Sequence, residues 1–160
     1  MVDKKEKAKV GLRRKSRTIA LNILYLIDNC SMSVDNAINC VFNEVNDYPD
    51  NFKNFTAALV AGTVQNKNLI DETIQNYLHN WTLERMAVID RNIIRISTFE
   101  FMAFPETPVS VIINEAIEIA KEYSTRDSGR FVNGLLDKIK DVRNNSSIMQ
   151  RFQKNETPQL

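Results

Sequence analysis

Helix breakers are scarce in this 160-residue chain, which has four Gly and four Pro, the prolines at 49, 105, 108 and 158. Long internal stretches are therefore free of breakers, which favours helices over many short strands. Histidine occurs once, as His79. A His-based metal cluster is excluded, and a Ser–His or Cys–His nucleophile would depend on that one ring, beside which no partner stands. Cys30 and Cys40 form no C-x-x-C pair and read as small buried hydrophobes in a reducing compartment. No apolar run reaches the ~18 residues of a membrane span. The charged start is followed by no apolar signal region, so the expected location is cytoplasmic, with no membrane partner. Neither phosphate-cradling glycine motif, G-x-x-x-x-G-K-[ST] or G-x-G-x-x-G, is present. Glu115, Glu118 and Glu122 read as the solvated face of a helix. Nothing remains from which to assemble catalysis, so the expectation is no enzyme, no metal and no cofactor.

What is present is charge, unevenly distributed. The formal net charge is +1. Residues 1–17 hold eight Lys/Arg against two Asp/Glu, a net +6. Residues 18–125 hold six against fourteen, a net −8, and residues 126–160 return to +3. One end suits a polyanion, and the acidic middle suits a basic partner.

Hydrophobic periodicity predicts an all-α single-domain bundle of about seven helices, preceded by a flexible basic leader (1–12) and followed by a tail (146–160) around a domain at 13–145. A largely buried helix is expected from Lys15 to Asn29. Ser33 caps a second helix ending near Val45, and Phe52 to Gln65 forms a third. Leu69 to Tyr77 carries a fourth, and Leu83 to Phe104 the longest. Pro108 opens a sixth, with Val109, Ile112, Ile113, Ala116, Ile117, Ala120 and Tyr123 on its inner face. Ser124 or Thr125 caps a last helix reaching Val142, with Phe131, Val132, Leu135 and Ile139 inward. Gly134 in mid-helix suggests a close helix crossing, and Asn114 and Asn133 read as buried hydrogen-bonding residues.

Arg13, Arg14, Lys15 and Arg17 sit where leader meets first helix. Arg14, Thr18, Leu21 and Tyr25 share a ridge there. Guanidinium groups bind phosphates bidentately and stack on unpaired bases, so this cluster points to nucleic acid. Tyr25 is either core or a stacking platform at its edge.

Two later segments sharpen that reading. Asn114-Glu115-Ala116-Ile117-Glu118-Ile119-Ala120-Lys121 is followed by Asp127-Ser128-Gly129-Arg130-Phe131-Val132-Asn133-Gly134-Leu135-Leu136-Asp137-Lys138. The pair resembles the INEAIELAK and DSxKFVNGxLD helices of the transcription antitermination factor NusB family. The opening RRKSRTIALNILY is similar to that family's RRxARxxALQxLY, and Arg91 to Glu100 is similar to its LRIAxYEL helix. The matches run in order over residues 13–142.

The resemblance implies a helical fold of two small sub-bundles. It also implies binding to single-stranded boxA RNA of ribosomal RNA leaders, jointly with the ribosomal protein NusE, within the RNA polymerase antitermination complex. It leaves open a homodimer when the protein is free. Carried over residue by residue, the RNA surface would use Arg13, Arg14, Lys15, Arg17 and Tyr25, with Asp127, Arg130 and Phe131 from the start of the last helix. The two helix starts would form a composite surface. Asp127 has a second reading as a helix-start residue favoured by the dipole. NusE would dock on the acidic body, at Asp90 and near Tyr77, with Asp90 on an exposed helix face. Two departures stand out. Thr18 replaces the usual acidic residue, and Gly129 replaces a larger polar one, loosening that corner. The alternative is an interaction adaptor that keeps the fold and has lost specific RNA binding.

Overall fold

The computed structural model describes residues 4–44 and 47–156, and among them every regular element is helical. The first three residues, the expected helix end at Val45, the chain beyond Glu156 and the side chains of residues 4–8 and 10 lie outside the described parts. The chain divides into two compact units, Met1–Ala61 and Gly62–Leu160, which correspond to two helical sub-bundles.

The first unit is built from α1 (Lys4–Cys30), α2 (Val34–Glu44) and most of α3 (Asp50–Gln65). Its buried residues include Leu21, Ile23 and Leu24 of α1, Ala37 of α2, and Phe52, Phe55, Leu59 and Val60 of α3. Ser33 caps α2 as expected, its hydroxyl accepting from the Asn36 amide at 3.2 Å. The leader differs from expectation, because helical backbone already begins at Lys4. Lys, Glu and Ala are good helix formers, and lengthening an existing helix needs no new nucleus. Both cysteines are exposed rather than buried; Cys30 closes α1, where the helix has left the core.

The second unit centres on α5 (Val88–Ala103), which is buried without interruption from Asn92 to Met102. It packs against α4 (Lys67–Gln75), α6 (Val109–Tyr123) and α7 (Ser128–Ile139). A helix enclosed on all sides must satisfy its polar groups internally. Ser97 and Thr98 do so by donating to the carbonyls of Ile93 and Ile94. α5 begins later than the periodicity predicts. Leu83–Arg85 forms a short 3-10 turn, and Met86 and Ala87 are extended, which tucks Leu83 and Met86 into the core. α7 likewise starts at Ser128 and gives way to a 3-10 turn at Lys140–Asn144.

Residues 146–156, expected as tail, form α8 (Ser146–Glu156). Its single buried residue, Phe152, lies edge-on to Phe99 at 6.1 Å. Arg151 makes a bidentate pair with Glu72 (2.8 and 2.7 Å), and Asn155 donates to Asn66 at 3.1 Å. The Arg151 guanidinium holds the exposed Glu72 carboxyl below its ordinary range.

The close approach expected at Gly134 occurs at Gly62 instead. A Cβ there would lie 2.0 Å from Phe99 Cζ, whereas one at Gly134 meets nothing within 4 Å. Gly62→Ala should therefore cost about 1–3 kcal/mol by overpacking. Gly134→Ala should add up to about 1 kcal/mol by favouring the helix. Denaturant titration of the two variants should move the midpoint in opposite directions; equal shifts would refute this assignment.

Candidate nucleic-acid interface

The basic residues of α1 are not equivalent. Arg14 and Lys15 are exposed, Arg13 is half-buried, and Arg17 is only 6% exposed. The Arg13 guanidinium lies 3.8 Å from the centre of the Phe55 ring, and Arg17 lies 5.7 Å from the same ring. Lys15 Nζ stands 4.7 Å over Tyr48, which stacks on Phe52 at 4.3 Å. Arg17, expected at the surface, is thus an inner cation packed on an aromatic wall. Arg14 and Lys15 are the outward charges. Thr18 donates to the Arg14 carbonyl at 3.1 Å, so it turns back on its own helix. The ridge is interrupted at Leu21, which is core, and resumes at Tyr25, which is 43% exposed. Of the two readings left open for Tyr25, the structure supports the surface one.

In the second unit, Asp127, Arg130 and Phe131 open α7 and are all exposed. Phe131, placed inward by its period, is 40% exposed. The inward stripe of α7 runs through Val132, Leu135, Leu136 and Ile139, and Phe131 lies beside it. Asp127 occupies the N-cap position, yet its side chain makes no capping bond. Gly129 does not loosen the corner: it is buried, and a Cβ there would meet Lys121 Cγ at 3.2 Å, so glycine permits the α6–α7 approach.

That corner is organised by Ser128, which the sequence reading passed over. Its hydroxyl donates to Asp90 Oδ2 at 3.0 Å and accepts from the Thr125 amide at 3.2 Å. The hydroxyls of Ser124 and Thr125 lie 2.9 Å away. Asp90 is correspondingly 8% exposed, which corrects its expected place on an open face. A carboxylate in the first turn of α5 also meets the positive end of the helix dipole. Glu115 is buried too, while Asn114, Asn133 and Tyr123 are exposed, reversing the expectation for each. Tyr77 is half-buried, just beyond α4.

Tyr77, Trp81, Arg130, Phe131 and Lys138 line an open groove of about 390 Å³ in this unit. Trp81, also passed over, is 45% exposed. Its sole signal in the sequence is a large aromatic between Asn80 and Thr82, flanked by polar residues. Among the described residues no group of His, Cys, Asp and Glu could hold a metal ion, and no helix is long and apolar enough to cross a membrane.

These features define a helical protein with two surface patches, one on each unit, in which outward cations and an exposed aromatic ring share a helix. The NusB family model matches residues 14–141. The transcription antitermination protein NusB of Koribacter versatilis is 39% identical over 82% of this chain and 90% of its own length. The solved NusB of T. maritima is 32% identical, with a TM-score of 0.77 over 86% of this chain and 96% of that one. A structure of NusB and NusE with double-stranded RNA has the same fold, with a TM-score of 0.73 at 23% identity over 82% of this chain and 97% of that one. The chain belongs to the NusB family.

Proposed function

We propose that this chain is a non-catalytic, cytoplasmic RNA-binding factor in transcription antitermination. It binds boxA RNA of ribosomal RNA operon leaders together with NusE and helps RNA polymerase avoid premature termination. The observation that carries the reading is the exposure of Tyr25 on the α1 helix that also carries Arg14 and Lys15 outward, and of Phe131 next to Arg130 on α7. Rings left in solvent next to cations are what hold unstacked bases of a single strand. The neighbouring fold solved with NusE and RNA supports the partner assignment. The net charge of −8 over residues 18–125 suits a basic ribosomal protein. Tyr77 is the proposed NusE contact; Asp90, expected as a second one, is buried against Ser128 and would serve by positioning the start of α7.

With roughly 4–6 phosphates neutralised, log K against log salt should slope near −3 to −4, at about −0.7 per phosphate. Tyr25→Ala and Phe131→Ala should each weaken boxA binding by about 1–3 kcal/mol. Arg14→Ala should weaken boxA and scrambled RNA alike, since a phosphate contact carries no sequence information. Gel shifts with single-stranded and duplex RNA test all three. A flat salt dependence or equal affinity for duplex would defeat the reading, and absence of any RNA shift would favour the adaptor alternative.

A further inference from the structure

We infer that the groove between Trp81 and Phe131 is a second base-stacking site, in which Trp81 holds an unstacked base of bound single-stranded RNA. This rests on the RNA-binding reading above and adds a residue and a site to it.

Tyr77, Trp81 and Phe131 supply aromatic surface, and Arg130 and Lys138 supply positive charge. His79 joins them, and none of the residues lining the groove is acidic. Trp81 and Phe131 beside cations, with no carboxylate, are complementary to a base with its phosphate, while Tyr77 at the α4 end of the groove stays the proposed NusE contact. Although the surrounding body is acidic, this recess is not.

Trp81 is also held in place before any ligand arrives. Gln75, at the end of α4, donates from Nε2 to the Trp81 carbonyl at 2.9 Å, and its Oε1 accepts from the Leu83 amide at 3.1 Å. One side chain thus staples both sides of the loop. Asn80 takes a left-handed φ of 57°, a conformation Asn tolerates better than most residues, and turns the chain directly before the ring. The Arg85 guanidinium stands 5.0 Å over the indole, so a base stacked on Trp81 would share its ring with a cation. The indole is 45% exposed on a loop pinned on both sides, so a ring face is open to a ligand without the loop having to reorganise.

Trp81 is the only tryptophan in the chain, so its emission reports this groove alone. The full chain is titrated with single-stranded boxA RNA, following Trp81 emission in parallel with filter retention of the same RNA in radiolabelled form. Emission should be quenched with the same midpoint as retention. Trp81→Ala should weaken retention roughly tenfold, and Trp81→Phe should restore most of it. Retention without quenching, or unchanged retention by Trp81→Ala with its helical circular dichroism intact, would overturn the inference and leave the proposed function standing. Quenching by added NusE but not by RNA would assign the groove to the protein partner and also overturn it. If the wild-type chain retains no RNA at all, both readings fall together.

Discussion

Asp71→Ala should lower the unfolding free energy by about 3 kcal/mol, the lower end of the loss when one partner of a buried ion pair is removed, because the Arg95 side chain is 8% exposed and that of Asp71 27%. Asp71 of α4 receives two charge-assisted bonds from Arg95 of α5, Nε to Oδ1 at 2.7 Å and Nη2 to Oδ2 at 2.8 Å. Arg95 is 7% exposed and its Nη1 also donates to Asn92 at 3.2 Å. Removing the carboxylate takes the bidentate acceptor from a guanidinium that water hardly reaches. A double replacement, Asp71→Leu with Arg95→Met, should recover much of the loss, because well-packed apolar residues often match a buried pair. Urea titrations of the single and double variants decide the point. A single-variant loss under about 1 kcal/mol would mean that the pair contributes no more than a surface bridge.

Phe152→Ala should undock α8. Truncating a buried aromatic costs about 3–5 kcal/mol where the structure cannot collapse around the gap. Phe152 is the only buried residue of α8, and the side-chain bonds of that helix are polar, exposed at Glu72 and part-buried at Asn66. The loss should therefore appear mainly as local opening. Amides of residues 148–156 should exchange freely while those of α5 stay protected. Acid should act in the same direction. The Glu72 carboxyl is held below its ordinary range by Arg151, so the pair contributes above the ordinary carboxylate range and is lost as pH falls through the lowered value. Retained α8 protection in Phe152→Ala would contradict this account.

The same residues show why some of the molecule was legible in the sequence and some was not. The α6 stripe follows helical spacing, and Ile112, Ile113, Ala116 and Ala120 are buried as that spacing requires, whereas Ile119, outside the expected stripe, is buried and Ile117 only half-buried. Ser33 could be read as a cap because capping depends on the next three residues alone. α8 was missed because Ile148, Met149 and Phe152 span little more than one helical turn in a polar segment, too short a period to stand out, and the seat of Phe152 against Phe99 lies far along the chain. Charge misled at Arg17 and Asp90. Both are enclosed by partners, Phe55 and Ser128, that no local pattern announces. The glycines make the same point, since only the residue across the gap separates Gly62 from Gly134. For the candidate interface, the family motifs supplied which residues to examine, but exposure had to come from the fold. It resolved Tyr25 to the surface and moved Phe131 outward and Arg17 inward.

Ser128 draws Asp90, Ser124 and Thr125 onto a single hydroxyl, and that arrangement bears on how mutants of this gene would sort in a genetic screen. Substitutions at any of the four positions would disturb the start of α7 and score together as antitermination-defective, although none of the four side chains need touch RNA. Their suppressors would cluster within the same group, where one altered hydrogen-bonding side chain can offset another. Alleles at Arg14 or Tyr25 would fall in a separate group that substitutions around Ser128 do not rescue.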